Sequence, residues 1–334
     1  MISSRSWIQN IKMITTPFVR LRRIRENPIM RDLVADTFIS PSQFIFPVFV
    51  VEGENLELSV EEMLGVNVYS IDMLGKVIDR ALSCGVRSFM LFPRVDESKK
   101  SDNAEEAYNP DNLICRAVRG LRERFSSEIV IITDVAADPY TISGHDGLLQ
   151  NGKILNDETL ELLAKQALVQ VAAGSDMIAP SDMMDGRILA IRNALDLGNL
   201  SSVPILSYSV KYASKLYKPF RSAIGVNKGP IDKRSYQVDC RNSGEAMREI
   251  EVDIAEGADI VMIKPANLFL DVIGKAVDQF SVPIFAYQVS GEYQMFRQYG
   301  GIEMLIESLI GIKRAGVSSI CTYAAIEVAE YLKP

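Results

Sequence analysis

Short apolar runs recur along the chain, and most are followed by a polar loop and an amphipathic stretch. Eight runs have the length and composition of buried β-strands: Phe44–Val50, Ser88–Phe92, Ile129–Val135, Met177–Ser181, Pro204–Ser209, Ile260–Lys264, Pro283–Val289 and Ser318–Tyr323. Because these runs are apolar at nearly every position rather than at every second one, they predict strands that are buried on both faces, as in a parallel sheet.

The amphipathic stretches between the strands predict helices that end at glycine. The helix predicted over Ile71–Ser83 ends at Cys84-Gly85, and the helix over Leu160–Ala173 ends at Gly174, with Asn156 as its N-cap. Two more helices follow the same pattern, over Ser243–Glu256 before Gly257 and over Glu303–Ala315 before Gly316.

Eight strands that alternate with helices are typical of a (β/α)8 TIM barrel. A doubly wound open sheet is the alternative, but no GxGxxG follows the first strand. We therefore predict an N-terminal arm at residues 1–35 and a (β/α)8 barrel catalytic domain at 36–334. The segment from Val210 to Ser243, called the long loop below, lacks strong periodicity, and a loop of this length is usually functional, often a lid.

Charge and cysteine content exclude several classes of protein. The net charge of -7 argues against a general nucleic-acid binder. The four cysteines are far apart and form no CxxC, so neither a disulfide framework nor a structural zinc site is expected. No run of 18 or more apolar residues predicts a membrane span. A reducing compartment fits this pattern, and we expect a cytoplasmic protein without a membrane partner.

The first 35 residues are basic, with seven Lys or Arg against two acidic residues. A cleaved organelle peptide has such a composition, and so does an arm that binds another surface. The arm is favoured because serine is only modestly enriched and the stretch continues without a break into the predicted domain.

Polar residues follow the predicted strands, where the reactive groups of a (β/α)8 barrel lie. They are Asp134, Ser181, Asp182, Lys211, Lys264, Ser290 and Tyr323. Lys264 is the most unusual, because it directly follows four apolar residues of its strand. A lysine buried there is either paired with a carboxylate or has a lowered pKa, and a lysine of lowered pKa is a Schiff-base nucleophile. Lys211 would lower the pKa of Lys264 further by repulsion.

Two acidic groups have a functional and a structural interpretation. Asp134, Asp138 and Asp146 suit a hard cation such as Mg²⁺ or no metal at all, and the neighbouring His145 is expected to be a hydrogen-bonded loop histidine rather than a ligand.

The acidic residues of one predicted helix face recur every four residues, as in a solvated stripe; they are Glu245, Glu249 and Asp253.

The long loop is rich in basic residues that either bind anions or form a solvated face. Their spacing alone favours the solvated face. They are Lys211, Lys215, Lys218, Arg221, Lys228, Lys233, Arg234 and Arg241.

Several long segments, in the same order along the chain, resemble the porphobilinogen synthases (5-aminolevulinate dehydratases). The two that carry the lysines are Ser207–Ser214 with Tyr217–Arg221, and Val261–Pro265; further matches are Ala179–Arg187 and Tyr287–Tyr293. The resemblance extends from about Leu21 to the C-terminus. It implies a TIM barrel with an N-terminal arm, assembled as a homo-octamer, that condenses two 5-aminolevulinate molecules for tetrapyrrole and heme biosynthesis in the cytosol or in plastids.

The resemblance also assigns roles to individual residues. Lys264 matches the lysine that binds the first substrate as an imine, and Lys211 matches the lysine for the second. Ser290 and Tyr323 match the groups that hold the first carboxylate; the second carboxylate is held by Arg221, Lys233 and Gln237. Ser181, at the end of its strand, is a further predicted substrate contact, and Asp134, Asp138 and Asp146 are expected to position the free amine or to move protons.

The metal site departs from one part of this family. Zinc-dependent members carry three cysteines after the third strand, where this chain has Ala136, Asp138 and Asp146, so a thiolate zinc site is excluded here. The chain resembles the cysteine-free, magnesium-responsive branch, in which Asp138 and Asp146 either hold a cation or act as charged groups alone. Glu249 matches the carboxylate of a second, allosteric Mg²⁺ site between subunits.

Two other functions remain open at this point. A class I aldolase-type lyase would use one Schiff-base lysine, and the paired lysines argue against it. A non-catalytic assembly relative would be expected to have lost one lysine, and both are present.

Overall fold

The computed structural model describes residues 19–226 and 232–333, and it divides the chain into two units, 1–38 and 39–334. In the first unit, a 3-10 turn at Leu21–Ile24 precedes a short helix, α1 (Pro28–Leu33). The Asn27 side chain caps α1 by accepting a hydrogen bond from the backbone of Met30 at 2.8 Å. Residues 1–18 of the predicted arm lie outside the described residues, and the arm stays a prediction.

The second unit is built on eight parallel strands. They are β1 (Phe44–Val51), β2 (Ser88–Arg94), β3 (Val130–Val135), β4 (Met177–Pro180), β5 (Leu206–Lys211), β6 (Ile260–Lys264), β7 (Ile284–Gln288) and β8 (Ser319–Thr322). Each matches its prediction to within two residues at either end, because continuous apolar runs mark strands that are buried on both faces.

The strands close into a barrel. In the order β4, β3, β2, β1, β8, β7, β6 and β5, each strand pairs in parallel with the next. Strand β1 pairs with β8, where Phe44 lies opposite Ile320. Between β4 and β5 the described contact is one isolated bridge, from Ile178 to Ile205. The predicted (β/α)8 TIM barrel is thereby confirmed.

Helices follow the strands around the barrel. They are α2 (Ile71–Ser83), α3 (Leu113–Phe125), α4 (Asn156–Ala173), α5 (Arg187–Leu197), α6 (Lys218–Ala223), α7 (Ser243–Ala255), α8 (Leu270–Gln279), α9 (Ser290–Arg314) and α10 (Ala325–Tyr331). No helix in the described ranges is both long and apolar enough to cross a membrane.

The predicted N-cap of α4 was wrong. The helix begins at Asn156 itself, after Leu155. The Asn156 side chain instead binds the backbone of Asp185, to which it donates at 3.0 Å and from which it accepts at 2.8 Å. The Asn156 side chain therefore binds the loop after β4 instead of capping α4.

Helix α9 begins thirteen residues before the predicted start at Glu303. Gly301 has non-helical angles (φ 61°, ψ -143°) and divides α9 into two segments. The first segment gave no helical signal because Val289 occupies the N-cap position, where Ser, Thr, Asp or Asn would mark a start. Ser290 therefore opens a helix instead of lying in a loop.

Short elements that were not predicted surround the barrel mouth. Glu57–Ser59 and Asn67–Ser70 form an antiparallel pair beside β1, and Leu148–Gln150 pairs with Lys153–Leu155 across an Asn151-Gly152 turn. The long loop contains a 3-10 turn at Lys215–Tyr217 and helix α6, so it is not irregular throughout.

Two glycines that face the same layer of helices offer a paired stability test. Gly316 has a left-handed φ of 105°, and a Cβ there would lie 2.7 Å from Val277 Cγ1 in α8. Gly274, within α8, has an ordinary helical backbone, and a Cβ there would point into open space. We expect Gly316→Ala to lower stability by about 1–3 kcal/mol and Gly274→Ala to raise it by about 0.5–1 kcal/mol.

Thermal unfolding followed by circular dichroism checks this pair. A lower melting temperature for Gly316→Ala together with a higher one for Gly274→Ala is the expected pattern. Equal shifts in both variants would contradict the strain assigned to Gly316.

Candidate active site

Two lysines lie side by side at the C-terminal ends of neighbouring strands. Lys211 ends β5 and Lys264 ends β6, and the parallel register pairs these two residues directly. Both are buried, with 6% and 5% of their surface exposed. The structure therefore brings together the two residues that the sequence singled out, and it places them in different surroundings.

Lys264 lies in an aromatic pocket. Its Nζ is 4.4 Å from the ring centre of Tyr287 and between 5.1 and 5.3 Å from those of Tyr208, Tyr217 and Phe220. Within the described residues it makes no hydrogen bond or ion pair. Burial lowers the pKa of Lys264 to about 7, the charge of Lys211 adds to this effect, and nearby carboxylates oppose it.

Lys211 has polar partners. Its Nζ donates to Asp146 Oδ1 at 2.8 Å and to the backbone carbonyl of Ser181. Burial acts to lower the pKa of Lys211, but the charges of Asp146 and Asp138 outweigh it and hold the pKa above its ordinary value. At neutral pH, Lys211 is therefore an ammonium group while Lys264 is close to its titration midpoint.

A carboxylate cluster surrounds Lys211. Lys233 Nζ lies 2.6 Å from Asp146 and 3.3 Å from Asp138. Burial alone would raise the pKa of Asp146, but the charges of Lys211 and Lys233 hold it well below its usual range. Asp146 is consequently a permanent anion between two ammonium groups.

Asp134 differs from the other two carboxylates because it has no lysine partner among the described residues. It is 7% exposed, and its Oδ1 has no hydrogen-bond partner there. Burial and the neighbouring Asp138 raise the pKa of Asp134 to about 7, which suits a group that both takes up and releases a proton.

One cavity connects most of the predicted site residues. Its lining includes Asp134, Asp138, Ser181, Lys211, Arg221, Lys233, Gln237 and Lys264. Tyr217 and Phe220 also line it; these aromatic residues were missed as site residues, because nothing in their spacing distinguishes them from core residues.

Ser290 and Tyr323 lie beside this cavity and were not found in its lining. Tyr323 is stacked on Phe49 with ring centres 6.0 Å apart, and its hydroxyl is 3.1 Å from that of Tyr287. Ser290 Oγ accepts from the backbone of Phe220 at 3.1 Å and donates to the Leu216 carbonyl at 3.1 Å. Both residues therefore contact the aromatic groups or the loop that enclose Lys264.

The start of α9 packs closely against the long loop. A Cβ on Gly291 would lie 2.7 Å from the Leu216 carbonyl oxygen and 2.8 Å from its Cα. Only glycine permits this approach, which brings Ser290 within hydrogen-bond distance of Leu216 and Phe220.

His145 makes the hydrogen bond expected of a loop histidine. Its Nδ1 is 2.9 Å from the hydroxyl of Tyr236, and this hydroxyl donates to Asp146 Oδ2 at 3.0 Å. Tyr236 comes from the long loop and was also missed, since its contact partner lies 90 residues away.

The spacing of the basic residues in the long loop predicted a solvated face, and the structure agrees for only some of them. Lys218, Arg234 and Arg241 are exposed and pair with nearby carboxylates, in keeping with a solvated face. Lys233 is buried among the carboxylates and departs from that expectation. Lys228 lies outside the described residues.

The acidic stripe on α7 is not uniformly solvated. Asp253 is 1% exposed and pairs with Arg187 at 3.0 Å, and it also accepts from Ser207 at 2.5 Å. Glu249 is half-buried, and burial together with nearby carboxylates raises its pKa to about 6, against the opposing charge of Arg187. The solvated interpretation was therefore wrong for Asp253.

The described residues include no cluster of three or more His, Cys, Asp or Glu arranged to hold a metal ion. The ligand oxygens of Asp138 and Asp146 face lysine ammonium groups, so this pair does not fit an active-site cation in the present arrangement. Asp253, Asp185 and Glu245 contribute negative charge near Glu249, and Arg187 opposes it, so the allosteric Mg²⁺ site expected at Glu249 stays a prediction.

Known proteins that are similar to this chain belong to one family. A profile of the delta-aminolevulinic acid dehydratase family matches residues 18–331. The delta-aminolevulinic acid dehydratase of Bradyrhizobium diazoefficiens is 45% identical over 322 residues, which cover 94% of this chain and 91% of the relative. The chloroplastic protein of that name from Physcomitrium patens is 47% identical over 324 residues, 94% of this chain and 74% of the relative.

A solved structure is similar over nearly the same length. The delta-aminolevulinic acid dehydratase of Toxoplasma gondii ME49, crystallised with the reaction product porphobilinogen, has a TM-score of 0.91 and 43% sequence identity. The similarity covers 94% of this chain and 91% of that one. Sequence, fold and the paired lysines together show that the chain belongs to the delta-aminolevulinic acid dehydratase family.

Proposed function

We propose that Lys264 and Lys211 bind two 5-aminolevulinate molecules as imines and join them into porphobilinogen, with the release of two waters. The observation that carries this proposal is the direct register of the two lysines at the ends of β5 and β6. The lyase class follows from the family, whose Toxoplasma gondii member was crystallised with porphobilinogen. A single-lysine aldolase would leave Lys211 without a role.

Lys264 is the first nucleophile in this proposal. Only a neutral amine attacks a ketone, and the aromatic pocket favours the neutral form of Lys264 by excluding water. The new C–N bond gives a carbinolamine, which loses its hydroxyl as water and leaves a protonated imine. That imine withdraws electrons, so the adjacent carbon loses a proton and becomes an enamine that can bond to the second substrate.

Lys211 must lose a proton before it can attack the second ketone, because its carboxylate neighbours keep it charged. Asp146 accepts a hydrogen bond from the Lys211 ammonium at 2.8 Å, but it stays ionised and does not keep the proton. Asp134 lines the same cavity and has a pKa near neutrality, so we assign to it the uptake and return of protons during imine formation.

The substrate carboxylates need cationic or hydrogen-bonding partners. Arg221, Lys233 and Gln237 line the cavity and are assigned to one carboxylate. Ser290 and Tyr323 are assigned to the other, and Ser181 is a further contact at the rim. Lys233 pairs with Asp138 and Asp146 here, so it would exchange one of these partners for substrate.

Regulation by Mg²⁺ and assembly into a homo-octamer complete the proposal. Glu249 would contribute a carboxylate ligand, and the nearby charges of Asp185 and Glu245 would favour a cation. An ion bound at a subunit boundary stabilises the larger assembly by mass action. Four free cysteines suit a reducing compartment, which we take to be the cytoplasm.

The first prediction concerns the two nucleophiles. Lys264→Ala and Lys211→Ala should each lower kcat by about a thousandfold or more, because a covalent intermediate is lost. Borohydride trapping with 5-aminolevulinate, followed by peptide mass spectrometry, should locate adducts on both lysines of the unaltered protein. Lys275→Ala, which removes an exposed lysine, is the control and should retain full activity. Trapping on neither residue would refute the assignment.

The second prediction concerns pH. Because the Lys264 amine must be neutral, imine formation there should fall about tenfold per unit as the pH drops below about 7. When Asp134 is ionised, its negative charge favours the ammonium form of Lys264. Asp134→Asn should therefore lower the pKa of Lys264 and move this acid limb to lower pH.

Cyanoborohydride trapping at Lys264 measures that pH profile without requiring turnover. If the acid limb of this pH profile lies at the same pH in Asp134→Asn as in the unaltered protein, Lys264 and Asp134 do not interact as described. A trapping rate at Lys264 that does not change between pH 6 and 8 would contradict the requirement for a neutral Lys264 amine whose pKa lies in this range.

The third prediction concerns metal. After treatment with a chelator, added Mg²⁺ should raise porphobilinogen formation and shift sedimentation toward the larger assembly, whereas Zn²⁺ should do neither. Glu249→Ala should abolish both effects. Glu251→Ala, an exposed neighbour on the same helix, should preserve them. Identical Mg²⁺ responses in all three proteins would exclude Glu249 as a ligand.

A further inference from the structure

Lys264 has no polar contact of its own that fixes its position. Its amine meets aromatic rings, and in the described ranges it has no hydrogen bond or ion pair. Its placement therefore depends on the backbone on either side. On the barrel side, the Lys264 carbonyl accepts from the backbone of Tyr212 at 2.9 Å and from the Tyr217 hydroxyl at 3.3 Å.

The backbone after Lys264 is held by one buried carboxylate. Glu292 Oε1 accepts from Asn267 at 2.7 Å and from Leu268 at 3.4 Å, and Oε2 accepts from Ala266 at 3.3 Å. Only Pro265, which has no N–H, separates Lys264 from this turn. The turn that Glu292 binds is therefore the first stretch after Lys264 with backbone donors.

The same carboxylate closes the first turn of α9. Glu292 Oε2 also accepts from the Val289 backbone at 2.9 Å. Glu292 thus joins the segment after Lys264 to the segment that carries Ser290, whose hydroxyl contacts Leu216 and Phe220. The Glu292 side chain therefore links the segment after Lys264 to Ser290, and through Ser290 to the long loop.

The chemistry of this position requires a carboxylate. Glu292 is fully buried, and the described part of the chain gives it no Lys or Arg partner. A buried charge without a counterion is costly, and burial raises the pKa of Glu292 to about 7, although the convergent backbone N–H groups favour the charged form. A glutamine would present one oxygen and an NH2 group, and the NH2 group cannot accept from a backbone N–H.

We infer that Glu292 is a positioning residue that holds Lys264 and Ser290 in the geometry required for imine formation. This inference rests on the proposed role of Lys264. Glu292 does not touch the reacting atoms; it acts through the turn at 266–268 and through the first turn of α9. Its loss should therefore affect Lys264 selectively and leave Lys211, on the adjacent strand, able to react.

The test uses levulinate, a keto acid that can form an imine with either lysine but lacks the amine needed for ring closure. Adducts trapped with cyanoborohydride are counted separately on the peptides that contain Lys264 and Lys211. In Glu292→Gln, adduct formation at Lys264 should slow by about ten- to a hundredfold, while that at Lys211 changes less than about twofold. With 5-aminolevulinate, kcat should fall together with kcat/KM.

Ser308→Ala is the matched control. Ser308 lies on the same helix, and its hydroxyl accepts from Gln288 at 2.7 Å. Its one described contact with the turn at 266–268 is through its backbone carbonyl, which accepts from the Asn267 side chain at 3.4 Å and is retained in alanine. This variant should leave trapping at both lysines unchanged. Glu292→Asp, which retains the charge but has a shorter reach, should give an intermediate loss at Lys264 and serves if Glu292→Gln does not fold.

The outcomes separate the two proposals. Normal trapping at Lys264 in folded Glu292 variants would overturn the positioning role and leave the function intact. Equal losses at both lysines would assign to Glu292 a general structural role, which also overturns the inference. No trapping at either lysine in the unaltered protein would instead refute the proposed function.

Discussion

Two amines in adjacent positions of neighbouring strands cannot both be charged without repulsion, and this constraint shapes the whole site. Two unit charges in a protein interior interact far more strongly than they do in water. The chain resolves the conflict by giving the two lysines opposite surroundings. Lys211 has Asp146 as an ion-pair partner, whereas Lys264 has aromatic rings and no counterion among the described residues. Because one lysine is charged and the other is close to neutral, they can act at different stages of one reaction.

The carboxylates and the lysines of the site come from different strands of the barrel. Asp134, Asp138 and Asp146 follow β3, while both lysines and the groups assigned to the substrate carboxylates follow β5 to β8. The carboxylates and the lysines therefore come from different strands of one mouth. Such an arrangement is open to a (β/α)8 barrel because every strand ends at the same face. The start of α9 connects two segments of the mouth, because Ser290 and Gly291 meet the long loop at Leu216 while Glu292 binds the turn at 266–268.

The barrel was predictable from the sequence because its strands are continuous apolar runs, and Lys264 was conspicuous because it ends one of them. Contacts between distant segments were not predictable. Nothing near Asp146 indicates that it meets Lys211, 65 residues away, and the aromatic residues around Lys264 look like ordinary core residues. Asp253 followed the spacing of an exposed helix face, yet Arg187 from another helix pairs with it in the interior. The first segment of α9 lacked a conventional cap, since its N-terminal acceptor is the side chain of Glu292.

Strands β4 and β5 have the least extensive backbone pairing of the neighbouring strands described in the barrel, and Lys211 lies at the end of β5. One isolated backbone bridge is described between these strands, and the Lys211 ammonium at the end of β5 also donates to the Ser181 carbonyl after β4 and to Asp146 after β3. An ammonium group has three N–H donors, whereas a protonated imine has one. The proposed imine at Lys211 would therefore give up at least one of these two hydrogen bonds. Attachment of the second substrate would in this way change the polar contacts that β5 makes with the loops after β3 and β4.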